Sequence, residues 1–178
     1  ARGTLLTTYQ PAMAGTAQAN PKAILGGGNM VYDSTWSPDG TMIASSVDGS
    51  GYGYNVQVWS ASTGKYLFTL QSKPVTSSTD YISEVAWSPD GKRIAFTIDQ
   101  TVQIWDVATR HLLLTHPTGF FAWSPDGKDI ASANGDGTVQ IWNAKTGKII
   151  FVYKGQVLEP AGVNTLAWSP DGTRIASG

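Results

Sequence analysis

Side chains suited to acid–base, nucleophilic or metal chemistry are sparse in this chain of 178 residues. It has no cysteine, which removes thiolate catalysis and disulfides and leaves the redox compartment undecided. Two histidines occur, His111 and His116. They fall towards opposite ends of one expected strand, which suits surface positions better than a catalytic pair. Without cysteine, two histidines do not make up the usual zinc ligand sets. Aspartate repeats at Asp39, Asp90, Asp126 and Asp171, each time inside a Pro-Asp-Gly turn. Turn geometry accounts for that repetition, so these carboxylates are poor general acids or bases. Asp136, near Asn134, lacks the D-x-D-x-D-G series of a calcium loop, and Gly26-Gly27-Gly28 is not followed by the Gly-Lys-Ser/Thr of a phosphate loop. There is no G-x-S-x-G nucleophile elbow. The expectation is a chain that is not an enzyme, with no catalytic residue, no metal site and no cofactor.

Charge narrows the partners. The formal net charge is −1, and the densest basic group is Lys145, Lys148 and Lys154. That is no electrostatic footprint for nucleic acid or for an anionic membrane. No apolar run approaches the roughly 18 residues of a membrane helix. No signal peptide is visible and the chain starts at Ala1 without Met, so localisation stays unknown.

The stretch 120–155 shows what the elements must be. FFAWS (120–124) is apolar and bulky, and Pro125-Asp126-Gly127 is a tight turn. DIASA (129–133) reads as a second strand, followed by the reversal Asn134-Gly135-Asp136-Gly137. TVQIW (138–142) is a third strand and KIIFVY (148–153) a fourth, joined through Ala144-Lys145-Thr146-Gly147. The unit recurs. W-S-P-D-G begins at Trp36, Trp87, Trp123 and Trp168, and V-Q-[VI]-W ends at Trp59, Trp105 and Trp142. The first motif returns after 51, 36 and 45 residues, as expected of four-stranded propeller blades.

These motifs resemble the WD-repeat β-propeller family over nearly the whole chain, closest in flavour to bacterial WD-repeat proteins. The resemblance implies an all-β propeller of four-stranded antiparallel blades, each with strands a to d from the axis outward. Trp-Asp itself occurs once, at Trp105-Asp106; the equivalents are Trp59-Ser60 and Trp142-Asn143. The family's Gly-His pair between strands d and a is missing, with Gly155-Gln156 at the exit of the third blade. The family's His–Ser–Trp–Asp network is therefore expected only in part, from Ser132, Asp136 and Trp142. Arg110 stands where the other c–d turns have Gly64 and Gly147, which makes it a strained position if the backbone is left-handed.

The expected organisation is a single WD-repeat region over 1–178, a partial propeller of about four blades. It comprises an orphan strand d at 1–10, a loop at 11–30, blades at 31–70, 82–115 and 119–153, and a partial blade at 163–178. The orphan strand is assigned because ARGTLLTTYQ aligns with STGKYLFTLQ at 62–71, so the chain reads as cut from something longer. Strands a, b and c read as near-continuous apolar or small runs, as expected of sheets covered on both faces.

In the family's topology the d–a and b–c connections share one face. Here that face varies, with enlarged segments at 11–30, 47–54, 71–81 and 154–162, whereas the opposite turns are uniformly short. Variable loops on a constant scaffold are where binding sites arise. The two largest belong to the first blade, so Asn29, Tyr32, Tyr52 and Tyr54 are the candidate partner-binding residues, tyrosine offering rigid amphipathic contact area. The leading reading is a non-catalytic scaffold that binds a protein or peptide there. A second is a self-assembly module in which partial propellers complete a ring as a homo-oligomer. A third, a ligand-binding or enzymatic propeller with an axial site, has no supporting residue constellation.

Overall fold

Alternating runs of β-branched or aromatic residues and glycine-bearing turns produce strands throughout the computed structural model, which describes residues 31–48, 54–71, 82–154 and 163–178. No helix occurs among the described residues. The expected strand d at 1–10 and the connection at 11–30 lie outside them.

Two compact units divide the chain, Ala1–Val85 and Ala86–Gly178. In the first, β1 (Val31–Trp36), β2 (Met42–Asp48), β3 (Tyr54–Ser60) and β4 (Tyr66–Gln71) form one four-stranded sheet in sequence order. A second sheet has the order β5 (Ile82–Trp87), β6 (Arg93–Ile98), β7 (Thr101–Asp106) and β8 (Leu112–Pro117). A third contains β9 (Phe121–Trp123), β10 (Asp129–Ala133), β11 (Thr138–Asn143) and β12 (Ile149–Lys154). The last sheet pairs β13 (Leu166–Trp168) with β14 (Ile175–Ser177). Strands pair antiparallel with their neighbours, as in β1–β2, β3–β4, β7–β8, β10–β11 and β11–β12, so the expected all-β architecture of four-stranded meanders is present.

The W-S-P-D-G turns repeat in atomic detail. Gly40, Gly91, Gly127 and Gly172 all have φ near +70° (69, 68, 68 and 70°), which only glycine adopts without strain. The serine contributes a feature the motif alone did not suggest. Ser37, Ser124 and Ser169 donate from Oγ to Asp39, Asp126 and Asp171 at 2.6, 2.8 and 2.6 Å. The same oxygens accept the N–H groups of Met42, Asp129 and Arg174 at 2.9, 3.0 and 2.9 Å. Ser88 does likewise with Asp90 and Arg93. Each turn thus carries its own hydrogen-bond staple.

Arg110 is left-handed, with φ of 60°, at the place where Gly64 and Gly147 have 65 and 69°. Its Cβ is strained there by about 1–2 kcal/mol, partly offset by the unfolded-state freedom that glycine would regain. Arg110→Gly is expected to raise stability by about 0.5–1 kcal/mol, read as a higher midpoint in urea. A lower midpoint would show that the arginine side chain contributes more than its backbone costs.

Within the second unit, one core joins consecutive sheets. Ala95, Val102 and Ile104 of the second sheet pack with Phe121, Ile130 and Trp142 of the third and with Ala144 in the turn after β11. Trp142 is fully buried, and its Nε1–H donates to Ser132 Oγ at 3.0 Å. The small residues Ala95 and Ala131 are themselves fully buried, consistent with making room for rings.

Three expectations need correction. His116 is not at the surface: it lies in β8, is 7% exposed, and stacks on Trp142 with ring centroids 4.3 Å apart and planes 3° from parallel. A histidine therefore does accompany the Ser132–Trp142 pair, although the preceding residue is Thr115 and not glycine. Asp136 does not join them; it accepts from Thr138 N and Oγ1 at 2.9 and 2.6 Å. Finally, not every strand a is covered: Trp36, which ends β1, is 52% exposed although the other motif tryptophans are buried or half-buried. Ile149, Ile150, Phe151, Val152 and Tyr153 of β12, an outer strand for which no such coverage was expected, are also exposed.

Candidate partner-binding site

At the edge of the first sheet, the β1–β2 ladder is irregular. Val31 faces Val47 and Ser34 faces Ser45, so Tyr32 and Asp33 together oppose Ser46 alone. This is a β-bulge, which bends a strand and re-aims its side chains. Ser46 holds it closed: Asp33 N–H donates to Ser46 Oγ at 2.9 Å, and that hydroxyl donates back to Asp33 O at 3.3 Å.

The bulge presents Tyr32, 43% exposed, beside Tyr54 at the start of β3. Their ring centroids are 6.2 Å apart with planes at 56°, a tilted aromatic pair within the attractive range. Of the four residues expected to contact a partner, the structure brings these two together. Tyr52 and Asn29 lie outside the described residues. Next to Tyr54 in β3, Asn55 is buried and its Oδ1 has no hydrogen-bond partner among the described residues. The patch offers apolar rings with polar tips.

Nothing catalytic accompanies it among the described residues. No cluster of three or more His, Asp or Glu side chains is placed to hold a metal ion. The turn carboxylates are occupied by their staples. Hydrogen bonds from Lys128 and Ser124 hold Asp126 at about 2, and those from Ser169 and Thr173 hold Asp171 at about 2. Both groups are ionised at neutral pH and cannot serve as general acids there. No described helix is long and apolar enough to cross a membrane.

A second open surface lies within the Ala86–Gly178 unit. A groove of about 370 Å³ runs between Val139, Ile141 and Phe151 of the third sheet and Trp168 and Ile175 of the last. Sequence reasoning did not single out this groove. Its signal was available in KIIFVY, which carries no alternating polar residues for a solvent face.

The WD domain, G-beta repeat family model matches residues 20–60, 62–106 and 147–178, well over half of the chain. The chain belongs to the WD-repeat family. The interval 115–158 matches the family described as anaphase-promoting complex subunit 4 WD40 domain. Among curated Arabidopsis thaliana proteins, THO complex subunit 3 is 30% identical over 122 residues, covering 62% of this chain and 37% of that protein. Autophagy-related protein 16 is 26% identical over 127 residues, covering 68% of this chain and 23% of its own length. WD repeat-containing protein VIP3 is 33% identical over 92 residues, covering 47% of this chain and 28% of its own. This WD-repeat chain therefore spans between 23% and 37% of the length of these relatives. All are plant proteins, so the bacterial flavour read from the motifs finds no support in them.

Proposed function

We propose that the chain is a non-catalytic interaction scaffold, one WD-repeat region over 1–178, that binds a protein or peptide at the bulged corner of its first blade. The observation that carries this reading is the Tyr32–Tyr54 pair, with Tyr32 exposed on a bulge and Tyr54 half-buried at the sequence end of the enlarged 47–54 connection. Rigid aromatic rings supply contact area at small entropic cost, which is why tyrosine recurs at contact hot spots. Tyr52 and Asn29, from the adjoining loops, complete the proposed surface. The name of one relative, THO complex subunit 3, accords with work in association with other proteins. Low net charge favours a protein or peptide over nucleic acid or an anionic membrane.

The test is panning of a displayed random-peptide library against the folded chain, followed by anisotropy titration of the enriched peptides. Tyr32→Ala/Tyr54→Ala is expected to weaken their binding by about tenfold or more, as loss of a contact hot spot does, with the melting curve retained. Unaltered affinity in the double variant would remove the site from this corner.

A further inference from the structure

Within the Ala86–Gly178 unit, consecutive W-S-P-D-G repeats meet turn against turn. At the first of these joints an arginine fills the space between them. Arg93, at the start of β6, lies over the Trp123 ring with its guanidinium carbon 4.8 Å from the centroid. Its Nη2 donates to Gly127 O at 2.8 Å and lies 3.6 Å from the Asp90 carboxylate. One planar guanidinium thus meets a ring face, a turn carbonyl and a carboxylate, a combination that suits its shape and charge.

The next joint repeats the walls without the arginine. W-S-P-D-G-K-R at 87–93 becomes W-S-P-D-G-K-D at 123–129, so Asp129 stands where Arg93 stands. The turns approach each other alike: a Cβ on Gly127 would sit 3.4 Å from Pro89, and one on Gly172 would sit 3.7 Å from Pro125. Between them lies a groove of about 380 Å³ lined by Pro125, Asp126, Asp129, Trp168, Asp171 and Gly172. The side chain that fills such a joint comes from the strand before it, β6 in the first case and β10 in the second, so the opening follows from aspartate at 129. Trp168 is half-buried and held in place by its Nε1–H, which donates to Ala122 O at 3.0 Å. Among the described residues no cation lies over its ring and no donor meets Gly172 O. Asp126 pairs with Lys128 at 3.0 Å and Asp171 with Arg174 at 4.0 Å, both cations being exposed. Asp129 accepts only from Asn143 Nδ2, at 3.3 Å on Oδ1, and is the uncompensated charge of the groove.

We infer that this groove is a docking site for an arginine side chain of a protein or peptide partner. The guanidinium lies over the Trp168 ring, donates to Gly172 O and pairs with Asp129, with Asp126 standing where Asp90 stands beside Arg93. Two observations name the occupant. The preceding joint holds an arginine on the equivalent ring and carbonyl. Charge agrees, because aspartate in place of arginine turns a positive group in the groove wall into a negative one. Lysine fits less well, since an ammonium is a compact point charge and does not span ring, carbonyl and carboxylate together. The site lies in a different unit from the Tyr32–Tyr54 pair and does not rest on the tyrosine corner.

The test is an NMR titration of the isotope-labelled chain with the blocked peptide acetyl-Gly-Arg-Gly-amide, read at the Trp168 indole N–H resonance. The same peptide with lysine, or with citrulline as the uncharged isostere of arginine, serves for comparison. The arginine peptide is expected to give a saturable shift, the lysine peptide a weaker one and the citrulline peptide none. Asp129→Arg supplies the missing side chain from within, so it is expected to abolish the response with the melting midpoint retained or raised. Asp129→Asn removes the charge at nearly constant shape and is expected to weaken binding by about tenfold or more. Should Asp129→Arg melt lower than the wild type, Asp129→Asn decides the matter, and wild-type affinity in it would overturn the proposal. The absence of a saturable shift with the arginine peptide, an equal response to the lysine or citrulline peptide, or a response that survives in a folded Asp129→Arg would each overturn it as well.

Discussion

Trp142→Ala is expected to destabilise the Ala86–Gly178 unit by about 3–5 kcal/mol, the range for a large ring removed from a packed core. Three effects act in the same direction. The indole is fully buried, so the substitution forfeits its transfer energy and leaves a cavity lined by residues such as Ile104, Ile130 and Phe121. It also removes the donor to Ser132, whose side chain is completely buried and would lose the 3.0 Å bond. Finally, it takes away the surface on which His116 stacks. Trp142 spans the joint between consecutive sheets, so the loss is expected to fall on both, as nearest-neighbour coupling in repeat proteins requires. Urea unfolding followed by far-UV circular dichroism measures it. A midpoint equal to that of the wild type would remove Trp142 from the core.

The second large effect concerns His116. His116→Ala is expected to cost about 2–3 kcal/mol through lost burial and lost stacking. The ring also makes stability depend on pH. Burial lowers its pKa below the ordinary 6.5, and Nδ1 has no hydrogen-bond partner to offset that. The unfolded chain therefore binds a proton that the folded chain resists. The stabilisation is complete above pH 6.5 and is lost progressively as the pH falls below it towards the folded value. His116→Phe keeps an aromatic ring against Trp142 and removes the titration. Urea midpoints measured from pH 7.5 to 5 are expected to fall in the wild type and stay flatter in that variant. Parallel profiles would show that another group carries the dependence. Further down, Asp126 and Asp171 are held at about 2 against an ordinary value of 3.8, so wild type and variant alike lose their contribution as the pH falls through that interval.

Some of this was legible in the chain and some was not. The strands at 129–133 and around 138–142 follow from β-branched runs bounded by glycine turns, and they lie where expected. The left-handed Arg110 was legible by comparison with Gly64 and Gly147. The candidate site was legible only in part. Tyrosines beside a long connection could be named, but the bulge that sets Tyr32 against Tyr54 arises from register between β1 and β2, which no single strand encodes. His116 was misplaced for a related reason. A histidine before a proline looks like a loop residue until the next sheet sets a tryptophan on it.

The sequence by itself determined the repeated meander and its turns, because proline, glycine and a stapling serine act within five residues of chain and need no distant partner. It also determined the family, through motifs that recur in order. Only the tertiary structure decided which copy of each motif is covered. Trp123 and Trp36 belong to identical pentapeptides, as do the turns before Arg93 and Arg174, yet one member of each pair is gripped by a neighbouring repeat and the other is open. Burial is a property of neighbours, and a repeated motif records its own fold without recording what packs against it.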